Sequence, residues 1–176
     1  MNAPAPQGGS LRGAFPAVVA PEAASQAAAA LGIDLHATLD SFCGRVDLYE
    51  HVLRGVARES VILPGQVQSF IDRGQRGDAH RALHTFKGLV GTVGWLDLAE
   101  RAADAEKAVG ADQPDAAQCL AALAAALQAG QPHVFALLGV LRPLAREQAA
   151  ASAARSQQRS QPAAAESDAP AAPTTR

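Results

Sequence analysis

The chemistry of this 176-residue chain is concentrated in residues 78–94, DAHRALHTFKGLVGTVG. Ala79, Ala82, Leu83, Phe86, Leu89, Val90 and Val93 recur at the i, i+3, i+4, i+7 spacing of one buried helical face. With His84 at zero and a step of ~100° per residue, that apolar set centres about 200° away. His84 therefore points away from the core. His80, Arg81, Lys87, Gly88 and Gly91 fall within about 60° of it on the same wheel. An exposed, unprotonated imidazole presents a nucleophilic lone pair at neutral pH.

The residues around His84 suit that use. Two glycines on the exposed face of a helix cost about 1 kcal/mol each relative to Ala. Gly88 and Gly91 clear side chains from the ground beside the imidazole, which lets another surface approach closely. Lysine is scarce in this chain, two against thirteen arginines, and one of the two is Lys87, a turn from His84. An ammonium is a compact charge able to neutralise a phosphoryl oxygen. No Ser, Asp or Cys is spaced to activate His84 on its own helix, so a nucleophile stands without catalytic apparatus. Such a group fits a phosphoryl carrier whose partner brings the metal and the acidic pocket. A competing use, metal ligation by His80 and His84 at i, i+4, lacks the metalloprotease pattern because residue 81 is Arg. Arg81 and Lys87 would also repel a cation.

The elements needed to position this face are helices. Of the 176 residues 42 are Ala, and 48% are hydrophobic with only 4% aromatic, a composition that favours helix over sheet. Spacing and stop signals predict helices over 34–42, from Asp47 onward, 78–93, 96–109 and 114–128, with a last apolar segment at 134–141. Asp47 with Glu50 has a capping-box pattern, Pro64-Gly65 should interrupt or kink the second helix, and Asp78 is the expected N-cap of the third. Gly130 should close the helix before Pro132 opens the last segment. Short connections between such helices indicate an all-α, up-and-down antiparallel bundle of four helices with one or two accessory N-terminal helices.

Eight of the eleven prolines fall in residues 1–21 or 143–176. We therefore divide the chain into a flexible segment at 1–30, the bundle at 31–146, and a disordered Ala/Ser/Gln/Pro-rich tail at 147–176. Alanines at 21–30 offer a frayed helix, and the last helix has residues to continue past Arg146. A net charge of −2 gives no bulk attraction to nucleic acid or anionic membrane. Cys43 and Cys119 make neither a disulfide framework nor a usual zinc site, and are expected as small buried hydrophobes. No apolar run reaches the ~18 residues of a membrane span, and the N-terminus lacks a signal-peptide pattern. The expected setting is the cytoplasm.

The run His84-Thr85-Phe86-Lys87-Gly88, with Gly94 six residues on, resembles the signature of histidine-containing phosphotransfer (HPt) domains, four-helix bundles that relay phosphoryl groups in histidine–aspartate signalling. The resemblance continues through Trp95-Leu96-Asp97-Leu98-Ala99 to Ala105-Glu106. Backwards it takes in Gly32-Ile33-Asp34, Asp47-Leu48-Tyr49 and Val52-Leu53, and covers residues 31 to 141. Phe86 in place of the commoner Leu, and Pro64 in the preceding helix, are departures away from the site. The resemblance implies that His84 is the phosphoacceptor, Lys87 the phosphate-facing cation and Gly88 the gap beside the ring. His80, Arg81, Gly88, Gly91 and Trp95 would form the partner-docking face.

It further implies a carrier without kinase or ATP-binding elements and without a cofactor of its own, Mg²⁺ belonging to the partner. Partners would be receiver domains of response regulators or hybrid histidine kinases, with no nucleic acid, no membrane and a monomeric state. Met1 and the flanking segments lead us to expect a free-standing shuttle. The alternative on the same fold is a non-phosphorylated scaffold or inhibitor module that binds a kinase or receiver domain.

Overall fold

The computed structural model describes residues 21–160. Among these residues the chain is all-helical: α1 (Glu22–Ala29), α2 (Leu35–Ser41), α3 (Val46–Asp72), α4 (Arg76–Thr92), α5 (Leu96–Gly110) and α6 (Ala116–Ser160). α3 packs on both α4 and α6, α4 on α5, and α5 on α6, so these four close a ring around a common core. Leu53, Val56 and Val67 of α3 meet Leu83 and Val90 of α4, Leu98 and Ala102 of α5, and Leu137 and Leu141 of α6 in that core. Burying a side chain of this size contributes about 1.5–3 kcal/mol, far more than helix propensity alone, so the apolar stripes set how the helices face.

The turns between helices use left-handed backbone where it is needed. Gly94, between α4 and α5, has φ +81°, and a Cβ built there would lie 2.5 Å from Thr38 Oγ1. Only glycine meets both conditions. Gly44 and Gly74 also have positive φ, at 70° each. Asp34 caps α2 by accepting the Ala37 amide at 3.0 Å, the interaction its residue type favours.

Several expectations are corrected. Asp47 does not cap α3; that helix starts at Val46, with Arg45 as its N-cap and no side-chain cap. Asp47 instead sits in the first turn, where its charge suits the helix dipole, and is paired with Arg45 at 2.6 Å. Asp78 likewise lies in the first turn of α4, whose N-cap is Gln75. Pro64 does not break α3, and Pro132 and Pro143 lie inside α6. All three prolines are exposed. The carbonyl that each proline leaves without its i+4 donor therefore lies on the solvent side, while buried Leu63, Val67, Val134 and Leu137 hold the chain helical.

Gly130 does not close a helix either. It is buried within α6, and a Cβ there would lie 2.2 Å from Trp95 Cη2; the glycine makes room for the indole. The expected helix and the last apolar segment are thus one helix. By length and composition α6 is apolar enough to cross a membrane, which the run-length reading of the sequence did not foresee. Here it supplies Leu123, Leu127, Val134, Leu137 and Leu141 to the common core.

The boundaries at both ends also shift. Residues 22–29, placed in the flexible N-terminal segment, form α1, whose Ala24 and Ala28 are fully buried on α6. Within the expected C-terminal tail, α6 runs on to Ser160. Gln148 fastens its first part by donating to the Gly44 carbonyl at 2.8 Å and accepting from the Asp47 amide at 3.3 Å. The rest of the two expected tails, 1–20 and 161–176, lies outside the described residues. Cys43, expected buried, is exposed at the turn after α2 with φ 55°, and Cys119 is half-buried.

Candidate functional site

α4 presents the face that its periodicity predicts. Ala79, Leu83, Phe86 and Val90 are buried, and the His84 side chain on the opposite side is 65% exposed. Cβ atoms built on Gly88 and Gly91 would meet nothing within 4 Å, so the ground beside the imidazole is open. Arg81 is exposed and bonded to Asp78 one turn back on the same helix. His80 lies one turn before His84 with its ring nearly parallel, 15° between planes and 6.5 Å between centroids.

The group that organises this face comes from α5. Glu106 is 7% exposed and lies among the core residues Ala102, Ala105 and Val109 of its helix. Its Oε1 is 2.7 Å from His84 Nδ1, and its Oε2 accepts from Lys87 Nζ at 2.6 Å. His80 Nε2 is 3.5 Å from the same Oε1. Burial acts to raise the Glu106 carboxyl, but the hydrogen bonds from Lys87 and His84 outweigh it and hold the group below its ordinary value. An ionised carboxylate only accepts, so Nδ1 is the protonated nitrogen of a neutral His84. The lone pair is then on Nε2, the other ring nitrogen.

Glu106 is the residue that reading the sequence missed as a member of the site. The expectation for His84 took in its own helix alone, whereas the partner arrives from the neighbouring helix. One signal was present: an acid among Leu98, Ala102, Ala105 and Val109, on a stripe that is otherwise apolar. Charged residues are almost never fully buried unless paired. Alanines at 102 and 105 are also small enough for α4 to approach.

The structure brings His80, Arg81, His84, Lys87, Gly88 and Gly91 to one face. Trp95 is the exception among the expected docking residues. It is 6% exposed, its indole lying against Gly130, so it is a core residue and offers no surface to a partner. Lys87 is only partly exposed, at 34%, with its ammonium on Glu106. As for metal ligation, Glu106 Oε2 is taken by that ammonium, and among the described residues no cluster of His, Cys, Asp and Glu is arranged to hold a metal ion.

The site is thus a buried carboxylate fixing one nitrogen of an exposed imidazole, on a helix face left open by glycine. The Hpt domain family model matches residues 50–131, a span that contains all of α4 and α5 and hence the whole site. Over that span the chain is similar to Hpt domains, the phosphotransfer modules of two-component phosphorelays. No curated protein and no solved structure matches the chain.

Proposed function

We propose that the chain is a histidine phosphotransfer protein in which His84 accepts a phosphoryl group from a receiver-domain aspartate and passes it to another receiver aspartate. On this reading α3–α6 are the up-and-down antiparallel four-helix bundle, and α1 and α2 are its accessory helices. The observation that carries the reading is the Glu106–His84 pair, with Nδ1 anchored and the other nitrogen free on an open face.

In the transfer step the Nε2 lone pair attacks the phosphorus of the aspartyl phosphate. The P–O bond to the aspartate breaks, and the aspartate leaves as a carboxylate. The ring gains an N–P bond and keeps its Nδ1 proton, whose developing positive charge Glu106 offsets. Return transfer reverses these steps with a second aspartate as nucleophile. Lys87 supplies a positive charge one turn away for the phosphoryl oxygens, and the partner's Mg²⁺ serves the acyl-phosphate side. Gly88 and Gly91 let the partner's pocket close over the imidazole, with His80 and Arg81 at its edge. The chain works as a cytoplasmic monomer in this scheme, binding receiver domains of response regulators or hybrid kinases.

Incubation with a phosphorylated receiver domain and Mg²⁺ tests the proposal. Label moves to the wild-type chain and not to His84→Gln. Equal labelling of the two proteins refutes it; binding of the receiver with no label on either points to the scaffold module instead.

A further inference from the structure

Three donors of α4 face the Glu106 carboxylate: His80, His84 and Lys87, each about one turn from the next. Two are bonded to it, and the third is not. His80 Nε2 stands 3.5 Å from Oε1, about half an ångström beyond a normal N–H···O hydrogen bond. The position is built. The His80 ring lies against the end of α5 at Gly110, where a Cβ would come within 2.6 Å of Cδ2 and 3.3 Å of Nε2. Any other residue at 110 would push the ring off the carboxylate.

The nearby arginines are not free to take this place. Arg76 is paired with Asp112 and Arg81 with Asp78. A phosphoryl group on His84 sets up a competition for Lys87, since its ammonium cannot be fully shared between the phosphoryl oxygens and Oε2. A carboxylate that loses its only permanent cation while 7% exposed needs a replacement donor.

We propose that His80 is a positioning residue, the reserve partner of Glu106: when Lys87 turns to the phosphoryl group, His80 closes onto the carboxylate and keeps His84 Nδ1 anchored. The trigger rests on the phosphocarrier reading, whereas the pairing itself does not. His80 touches neither the phosphoryl group nor the partner's aspartate in this role; it acts through Glu106.

The ¹⁵N signals of the His80 imidazole, read in the full chain, test this. Lys87→Ala removes the competitor without any phosphorylation, and the His80 Nε2 signal should move to that of a hydrogen-bonded N–H. Wild-type protein phosphorylated with phosphoramidate should show the same movement. Adding Gly110→Ala to Lys87→Ala should abolish it, because the methyl displaces the ring. His80→Ala should slow onward transfer from phospho-His84 several-fold, and His80→Gln, which keeps an N–H donor, should restore most of the rate. A His80 signal indifferent to both Lys87→Ala and phosphorylation overturns the proposal, as does a movement that persists with Gly110→Ala. If Lys87→Ala moves the signal but phosphoramidate never labels His84, the reserve pairing stands and the phosphocarrier reading falls.

Discussion

Two glutamates are buried in this bundle, and they differ in what they hold. Glu50 on α3 is 5% exposed and is bonded to Arg54, four residues on along the same helix. Glu106 on α5 is 7% exposed and holds His84 and Lys87 of α4, 22 and 19 residues away in sequence. The first is a local pair that any solvated helix can make. The second joins two helices and fixes an exposed imidazole. Burial of an acid therefore does not mark a site in this protein; what marks it is the exposed imidazole that converges on the acid from another helix.

The sharpest test of that difference exchanges each acid for its amide. Glu106→Gln keeps the shape but removes the charge that anchors Nδ1, and misplacing a reacting group by about 1 Å costs about 100-fold in rate. Label transfer through His84 should fall by about that factor, whereas Glu50→Gln should leave it unchanged. Equal losses in the two variants would erase the distinction. The glycines extend the comparison. Gly55, one residue from Arg54, has as much open space as Gly88 and Gly91, with nothing within 4 Å of a built Cβ. Gly88→Arg or Gly91→Arg should slow transfer about tenfold or more by obstructing the partner, an interface clash worth over ~1.4 kcal/mol. Gly55→Arg should not, and all three variants should melt cooperatively as the wild type does. Unchanged transfer in the Gly88 and Gly91 variants would remove close approach as the reason for glycine there.

Lys87→Ala should have a milder effect. Its ammonium is partly exposed, so its loss should cost about tenfold in transfer, below the ~10²–10³ seen for a donor in an enclosed site. Acid titration adds a thermodynamic arm. The Glu106 carboxyl is held below its ordinary value in the folded state, so the group binds fewer protons there than in the unfolded chain. Its contribution to stability is present above the ordinary carboxylate pKa of about 4.3 and is lost as pH falls through the lower folded value. The melting temperature of the wild type should approach that of Glu106→Gln as pH is lowered across that range. A constant gap down to acid pH would show that the ion pairs of Glu106 do not stabilise the fold.

How much of this was legible from residue order follows from whether a feature is local. The stripe of α4 places His84, Gly88 and Gly91 outward without any tertiary information, and the structure agrees. Glu106 acquires its role only when α4 and α5 lie side by side, a register that no local pattern specifies. Trp95 was assigned to the surface from its neighbourhood in sequence, but Gly130, 35 positions on, provides the space that buries it. Pro64 reads as a break and Pro132 as a helix start because a proline's cost is local, and what offsets it is burial on the far side of the same helices. α1 was expected only as a frayed helix for a related reason: Ala24 and Ala28 carry little hydropathy, and their value lies in how closely they let α1 sit on α6.

The smallest expected effect concerns stability and reverses the order of the two acids. Arg54 is the partner that the structure gives the buried Glu50 carboxylate. Arg54→Ala strands that group, and an unmade bond to a buried polar group costs about 1–3 kcal/mol. Lys87→Ala removes a partner of the same charge from Glu106, yet His84 remains bonded and His80 stands 3.5 Å away, so the carboxylate is not stranded. Lys87→Ala should therefore destabilise by less than ~1 kcal/mol, close to the worth of an exposed ion pair, and less than Arg54→Ala in urea unfolding at neutral pH. The acid that matters more for transfer is thus the one that tolerates loss of a cation better. On the proposed function, in which Lys87 turns from its carboxylate to the phosphoryl group, that redundancy would be needed, whereas a helix-stabilising pair has no such need. A larger loss in Lys87→Ala than in Arg54→Ala would place the stability of Glu106 on Lys87 alone.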